Sequence, residues 1–68
     1  MRDLAKKFGY NVRSMRKDKG LSQDQLALAA DIDRSYVGRI ERGEVNITLE
    51  KAYQIASVLQ CDIRVLLP

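Results

Sequence analysis

The side chains best placed to do chemistry lie in 33-DRSYVGRIERG-43, where Arg34, Ser35, Arg39 and Arg42 surround Gly38. At about 100° per residue, Arg34, Gly38, Arg42, Ser35 and Arg39 fall within an arc of roughly 140° on a helix. Tyr36, Val37, Ile40 and Glu41 take the other side, so Val37 and Ile40 are expected to anchor the segment while the polar face stays open. Two of these choices work against an isolated helix. A mid-helix glycine costs about 1 kcal/mol relative to alanine, and Arg34 in the first turn opposes the helix dipole by roughly 0.3–1 kcal/mol. Entry into a DNA major groove explains both. A glycine lets the backbone come close, an arginine bonds bidentately to guanine O6 and N7, and a serine hydroxyl serves at a base edge. The alternative is that Gly38 permits close packing of a neighbouring helix and that the arginines are solvated surface.

The elements that must position this face are also legible. Leu4, Phe8, Val12 and Met15 recur at helical spacing among Arg2, Lys6, Lys7, Arg13, Arg16 and Lys17, which predicts a first amphipathic helix over 2–19, stopped by Gly20. Ser22 and Gln25 form a capping-box pattern ahead of Leu26, Ala27 and Ala30, so a short second helix ends near Ala30 or Asp31. Asp33 is the next cap candidate, opening a third helix over 33–42 before Gly43. Two helices joined by so tight a turn, the second facing outward, follow the helix-turn-helix plan. Thr48 caps a fourth helix carrying Leu49, Ala52, Tyr53, Ile55, Ala56 and Leu59, a pattern suited to packing on more than one side; Asp62 caps a last turn, Ile63 to Leu67. No β-alternation persists, so the fold class is all-α: five short helices in one domain spanning 1–68.

Sixty-eight residues leave room for a modest core and little for an elaborate catalytic cleft. The 46% hydrophobic and 31% charged balance is that of a folded chain. Its net charge of +3 is unevenly spread: residues 1–20 hold seven bases against two acids, and residues 21–33 hold Asp24, Asp31 and Asp33 with no base. A phosphate-backbone partner and a solvated basic helix face both fit that pattern. There is no histidine, no phosphate-cradling glycine loop and no carboxylate pair spaced for acid–base work, so no enzyme activity, metal, cofactor or small-molecule substrate is expected. The single Cys61 sits in an apolar helical pattern and is expected as a buried, reduced thiol. With neither a membrane-length apolar run nor a leader pattern, a cytoplasmic location is expected.

The stretch 20-GLSQDQLALAADIDRSYVGRIERGEVNITLEKAYQIASVL-59 resembles the Cro and phage-repressor (XRE-type) helix-turn-helix family, and the likeness extends over nearly the whole chain. The run R-S-Y-V-G followed by E-R-G-E-V-N-I-T-L is similar to controller proteins of restriction–modification systems. The resemblance implies a lambda-repressor-like five-helix domain that binds double-stranded DNA and regulates transcription, with Arg34, Ser35 and Arg39 at base edges; a protein-interaction module on the same fold, or the DNA-binding part of a longer regulator, is the other reading. It implies that Gln23 holds a phosphate at the second helix's N-terminus, where free N–H groups favour anions; a solvated glutamine is the other reading. Tyr36, Arg42 and Asn46 match backbone-contact positions, although the Tyr36 ring is equally readable as packed beside Ile40. Arg16 and Glu41 match an ion pair tying the first helix to the third, with Arg16 also able to face phosphate. The chain departs from the family pattern at Asp31, where glycine usually ends the second helix, and at Asp33, where Ser or Thr usually caps the third.

One such module covers about 600–1,000 Å² of DNA, and half-sites about 34 Å apart are matched by a symmetric pair. A homodimer is therefore expected, with Val65 and Leu67 as candidate interface residues, Ile63 and Leu66 assigned to the core, and Leu28 either part of an interface or an ordinary exposed leucine.

Overall fold

The computed structural model describes residues 3–68; Arg2, placed by its spacing in the first helix, lies outside the described residues. Five helices follow one another: α1 (Asp3–Asp18), α2 (Gln23–Ala30), α3 (Arg34–Glu41), α4 (Leu49–Leu59) and α5 (Ile63–Leu66). Local chemistry accounts for most boundaries. Gly20 takes the left-handed conformation at φ 73° after α1. Both halves of the Ser22–Gln25 capping box are formed, at 3.0 Å and 2.8 Å. Thr48 Oγ1 accepts from the Lys51 N–H at 3.1 Å, and Asp62 Oδ1 accepts from the Arg64 N–H at 2.9 Å.

Asp33 behaves differently from its expected role. Its backbone occupies the N-cap position of α3, but its carboxylate makes no capping bond to the helix. It instead accepts from the Ser35 hydroxyl, a local side-chain partner that competes with the free backbone N–H groups.

The core is assembled from every helix: Phe8 and Val12 of α1, Leu26, Ala27 and Ala30 of α2, Val37 and Ile40 of α3, Ala52, Ile55, Ala56 and Leu59 of α4, and Leu66 of α5. Three expectations about burial need correction. Leu4, on the apolar side of α1, is exposed at the edge of an open groove. α4 packs against α2, α5 and α1, but Leu49 and Tyr53 are left in solvent. Cys61 and Ile63 are half-buried against the core rather than enclosed by it; partial burial still pushes the Cys61 thiol up from its ordinary pKa.

Gly9 lies at a close helix–helix approach. A Cβ there would collide with the Ile40 carbonyl oxygen and stand 2.8 Å from that of Glu41. α1 thus lies directly against the last turn of α3, so a helix does pack closely on a glycine in this fold, at Gly9 and not at Gly38. Gly43 completes the contact: it turns the chain at φ 73°, and a Cβ would meet Lys6 Cγ at 2.5 Å. Among the described residues no helix is long and apolar enough to cross a membrane.

Candidate nucleic-acid interface

Only Asp31, Ile32 and Asp33 separate α2 from α3. Asp31 takes the left-handed conformation usually given to glycine, at φ 58° and ψ 45°. The Ile32 N–H then reaches back to the Ala27 carbonyl at 3.0 Å, while the Ile32 side chain packs against the core. This hydrogen bond and the apolar contact close α2 as a Schellman-type end and fix the angle at which α3 departs.

The inner side of α3 is held by Val37 and Ile40, both almost fully buried, and by a polar cluster around Glu41. Arg16 Nε donates to Glu41 Oε2 at 2.7 Å and Nη2 donates to Oε1 at 3.1 Å. Gln23 Nε2 donates to the same Oε1 at 3.0 Å, and Arg16 Nη1 donates to the Leu21 carbonyl at 2.8 Å. The Arg16 and Glu41 side chains are only 9% and 3% exposed. One carboxylate therefore joins α1, the start of α2 and the end of α3. Paired and hydrogen-bonded, the two charges are tolerated; either alone would be left costly and unsatisfied. Enclosed in this way, Arg16 is a structural group, and its expected second role against phosphate does not fit its burial.

The outer side of α3 gathers Arg34, Ser35, Gly38, Arg39 and Arg42, which with Gln23 line a shallow depression of about 380 Å³. Gly38 is not bare. A Cβ at Gly38 would lie 3.1 Å from Arg42 Nη1 and 3.8 Å from Gln23 Oε1, so two side-chain ends rest over it. Both are movable, unlike the backbone that covers Gly9. The Gln23 amide nitrogen is committed to Glu41, and its carbonyl oxygen points toward the depression.

The arginines differ in their restraints. Arg34 Nε stands 2.9 Å from Asp24 Oδ1 across the α2–α3 turn. Arg42 donates through Nε and Nη2 to Glu44, at 2.8 Å and 3.4 Å; that hydrogen bond and the guanidinium charge hold the Glu44 carboxyl below its ordinary pKa. Arg39 is exposed and forms no ion pair among the described residues. Sequence spacing did not reveal Asp24 or Glu44 as partners. The Asp24 pairing crosses between two helices, and Glu44 follows Arg42 by two residues in a turn whose geometry helical periodicity does not describe.

The remaining candidates lie elsewhere. Tyr36 is half-buried against the core. Asn46 is exposed and borders a separate depression with Lys6 and Glu44, near the start of α1. Val65 and Leu67 are about half exposed, and Leu67 joins Leu4, Phe8, Leu49 and Ala52 along an apolar groove that Val65 does not line. Leu28 is 85% exposed on α2.

The known proteins that this chain resembles share both fold and motif. A family model described as helix-turn-helix matches residues 12–66. The chain is 38% identical over 65 residues to control protein C.SmaI of Serratia marcescens, an alignment covering 96% of this chain and 77% of that protein. Its structure matches the restriction-modification controller protein C.AhdI from Aeromonas hydrophila with a TM-score of 0.89 and 44% identity, over 91% of this chain and 94% of the other. It also matches SinR, the master regulator for biofilm formation, in complex with DNA, with a TM-score of 0.82 and 30% identity over 87% of this chain and 95% of that one. The chain belongs to the helix-turn-helix family of XRE-type, DNA-binding transcriptional regulators.

Proposed function

We propose that this chain reads a specific double-stranded DNA sequence by placing α3 in the major groove, with Arg34, Ser35 and Arg39 at base edges. The observation that carries this reading is the division of α3 into two sides. Its inner side is fixed by the core, by Gly9 and by the Arg16–Glu41–Gln23 cluster, while its outer side presents three arginines, a serine and a glycine around one depression. A rigid backbone with short and forked donors on the free side suits recognition of acceptor groups on bases. Arg42, Tyr36 and Asn46 serve as backbone contacts that set the register, Gln23 joins them through its backbone N–H at the start of α2 because its side-chain amide is committed to Glu41, and basic groups on α1 draw in the duplex by counterion release.

The working unit is a homodimer on an inverted repeat. One module covers too little DNA for high specificity, and exposed Leu4, Leu49, Val65 and Leu67 supply apolar surface for a second copy. The similarity to C.SmaI and C.AhdI supports a narrower role in controlling restriction–modification genes, carried out in the cytoplasm, where a regulator of this kind meets its DNA. Selection of a randomised duplex library by the purified chain at about 150 mM salt, followed by sequencing of the bound pool, tests this reading. An enriched inverted repeat is expected; a folded chain that enriches nothing would refute it.

A further inference from the structure

Three carboxylates stand among the side chains of the proposed reading face: Asp24 against Arg34, Asp33 against Ser35, and Glu44 against Arg42. The Asp24–Arg34 pair adds little to the fold. The Arg34 and Asp24 side chains are 68% and 72% exposed, and pairs so open to water add little stability. Their placement beside a surface meant for a polyanion calls for another explanation.

Arg34 differs from its neighbours in how it is gripped. Asp24 Oδ1 forms an ion pair with Nε, the inner nitrogen, at 2.9 Å, and among the described residues no aligned hydrogen bond engages any nitrogen of the Arg34 guanidinium. Arg42 is held by Glu44 through both Nε and Nη2, which leaves only Nη1 unengaged. Arg39 has no ion pair among the described residues to restrain it. Arg34 alone combines restraint from an acid with an outer edge left open.

We propose that Asp24 is a specificity-determining positioning residue, holding Arg34 by its inner side so that the terminal nitrogens are presented to a guanine. The inference rests on the reading of α3 as the recognition helix. Guanine is a neutral acceptor, so its O6 and N7 engage the outer edge while the Asp24–Arg34 pair persists. A phosphate is charged and competes with Asp24 for the same guanidinium; taking it leaves the carboxylate facing a second anion. Asp24 therefore favours the base over the backbone, which raises discrimination rather than overall affinity.

The test compares the intact chain with Asp24→Asn, Arg34→Ala and the double variant, each titrated against the library-selected duplex and a scrambled duplex at fixed salt. Asp24→Asn is expected to bind the scrambled duplex more tightly and the selected one less tightly, lowering the ratio of the two affinities by about tenfold. In the Arg34→Ala background the same substitution should leave the ratio unchanged. Asp24→Glu, which keeps the carboxylate, should hold the ratio nearer to that of the intact chain. An Asp24→Asn variant that keeps the original ratio, or strengthens both duplexes equally, would overturn the proposal and leave Asp24 as a simple repellent of phosphate. An unchanged loss of ratio in the Arg34→Ala background would also overturn it. If the intact chain itself does not discriminate the duplexes, the reading of α3 fails first, and that result is visible before any variant is considered.

Discussion

Replacing Glu41 with alanine should unfold much of this protein, for a reason that can be worked through from its surroundings. The carboxylate accepts three hydrogen bonds, two from Arg16 and one from Gln23, with its side chain only 3% exposed. Its removal leaves the Arg16 guanidinium enclosed with only the Leu21 carbonyl as a protein partner. Breaking a buried ion pair from one side costs about 3–5 kcal/mol. A chain of 68 residues has a total stability of about 3–10 kcal/mol, so the loss takes a large share of it. Urea titration followed by helical circular dichroism should show the midpoint falling steeply, with the melting temperature lower by about 12 °C or more. The combined variant Arg16→Met with Glu41→Leu removes both charges and should return to within about 1–2 kcal/mol of the parent, because an apolar pair can replace a buried ion pair. A Glu41→Ala protein within about 1 kcal/mol of the parent would refute the reasoning. It would mean that water satisfies Arg16 and that the pair does not tie α1 to α3.

Other perturbations separate positions that look alike in the sequence. Gly9→Ala should destabilise by about 1–3 kcal/mol, since the new methyl meets the Ile40 backbone. Gly38→Ala meets only the movable end of Arg42 and should be neutral or gain up to about 1 kcal/mol in helix propensity; equal effects of the two substitutions in thermal melts would contradict this contrast. Asp31→Gly should stabilise by about 0.4–1 kcal/mol by relieving the left-handed conformation, and a lowered urea midpoint would show that Asp31 makes a favourable contact that outweighs it. Arg39→Ala should weaken binding to the selected site by about 1–3 kcal/mol and to random duplex far less. Equal losses on both would reduce Arg39 to a phosphate contact.

The parts of the fold that depend on neighbours in sequence were readable in advance. The Ser22–Gln25 box, Gly20, Gly43, Thr48 and Asp62 act within a few residues of one another, and a helical period suffices to sort Val37 and Ile40 from Arg34 and Arg39. Features that depend on how helices cross were not readable. Gly9 carries no local signal, because its significance comes from the last turn of α3 lying against it. The same holds for Asp24 beside Arg34 and for the Leu21 carbonyl beside Arg16. Helical periodicity also places Leu4 and Leu49 on apolar faces without saying how far other elements cover them, and both stay exposed here. Gln60 closes α4 in the left-handed conformation at φ 54°, a role its residue type does not advertise. At the candidate interface, spacing brought Arg34, Ser35, Gly38, Arg39 and Arg42 to one face, while the acids that restrain two of the arginines emerge only when the chain is folded.

The central claim is that the outer side of α3 reads bases in the major groove. Substituting 7-deazaguanine for single guanines in the selected duplex removes the N7 acceptor while leaving Watson–Crick pairing and every phosphate in place. At least one such substitution per half-site should weaken binding by about tenfold or more, and the same substitution should matter little to the Arg34→Ala or Arg39→Ala variant that has already lost that contact. Binding that is indifferent to every such substitution would contradict the claim and leave the protein gripping DNA through its backbone alone.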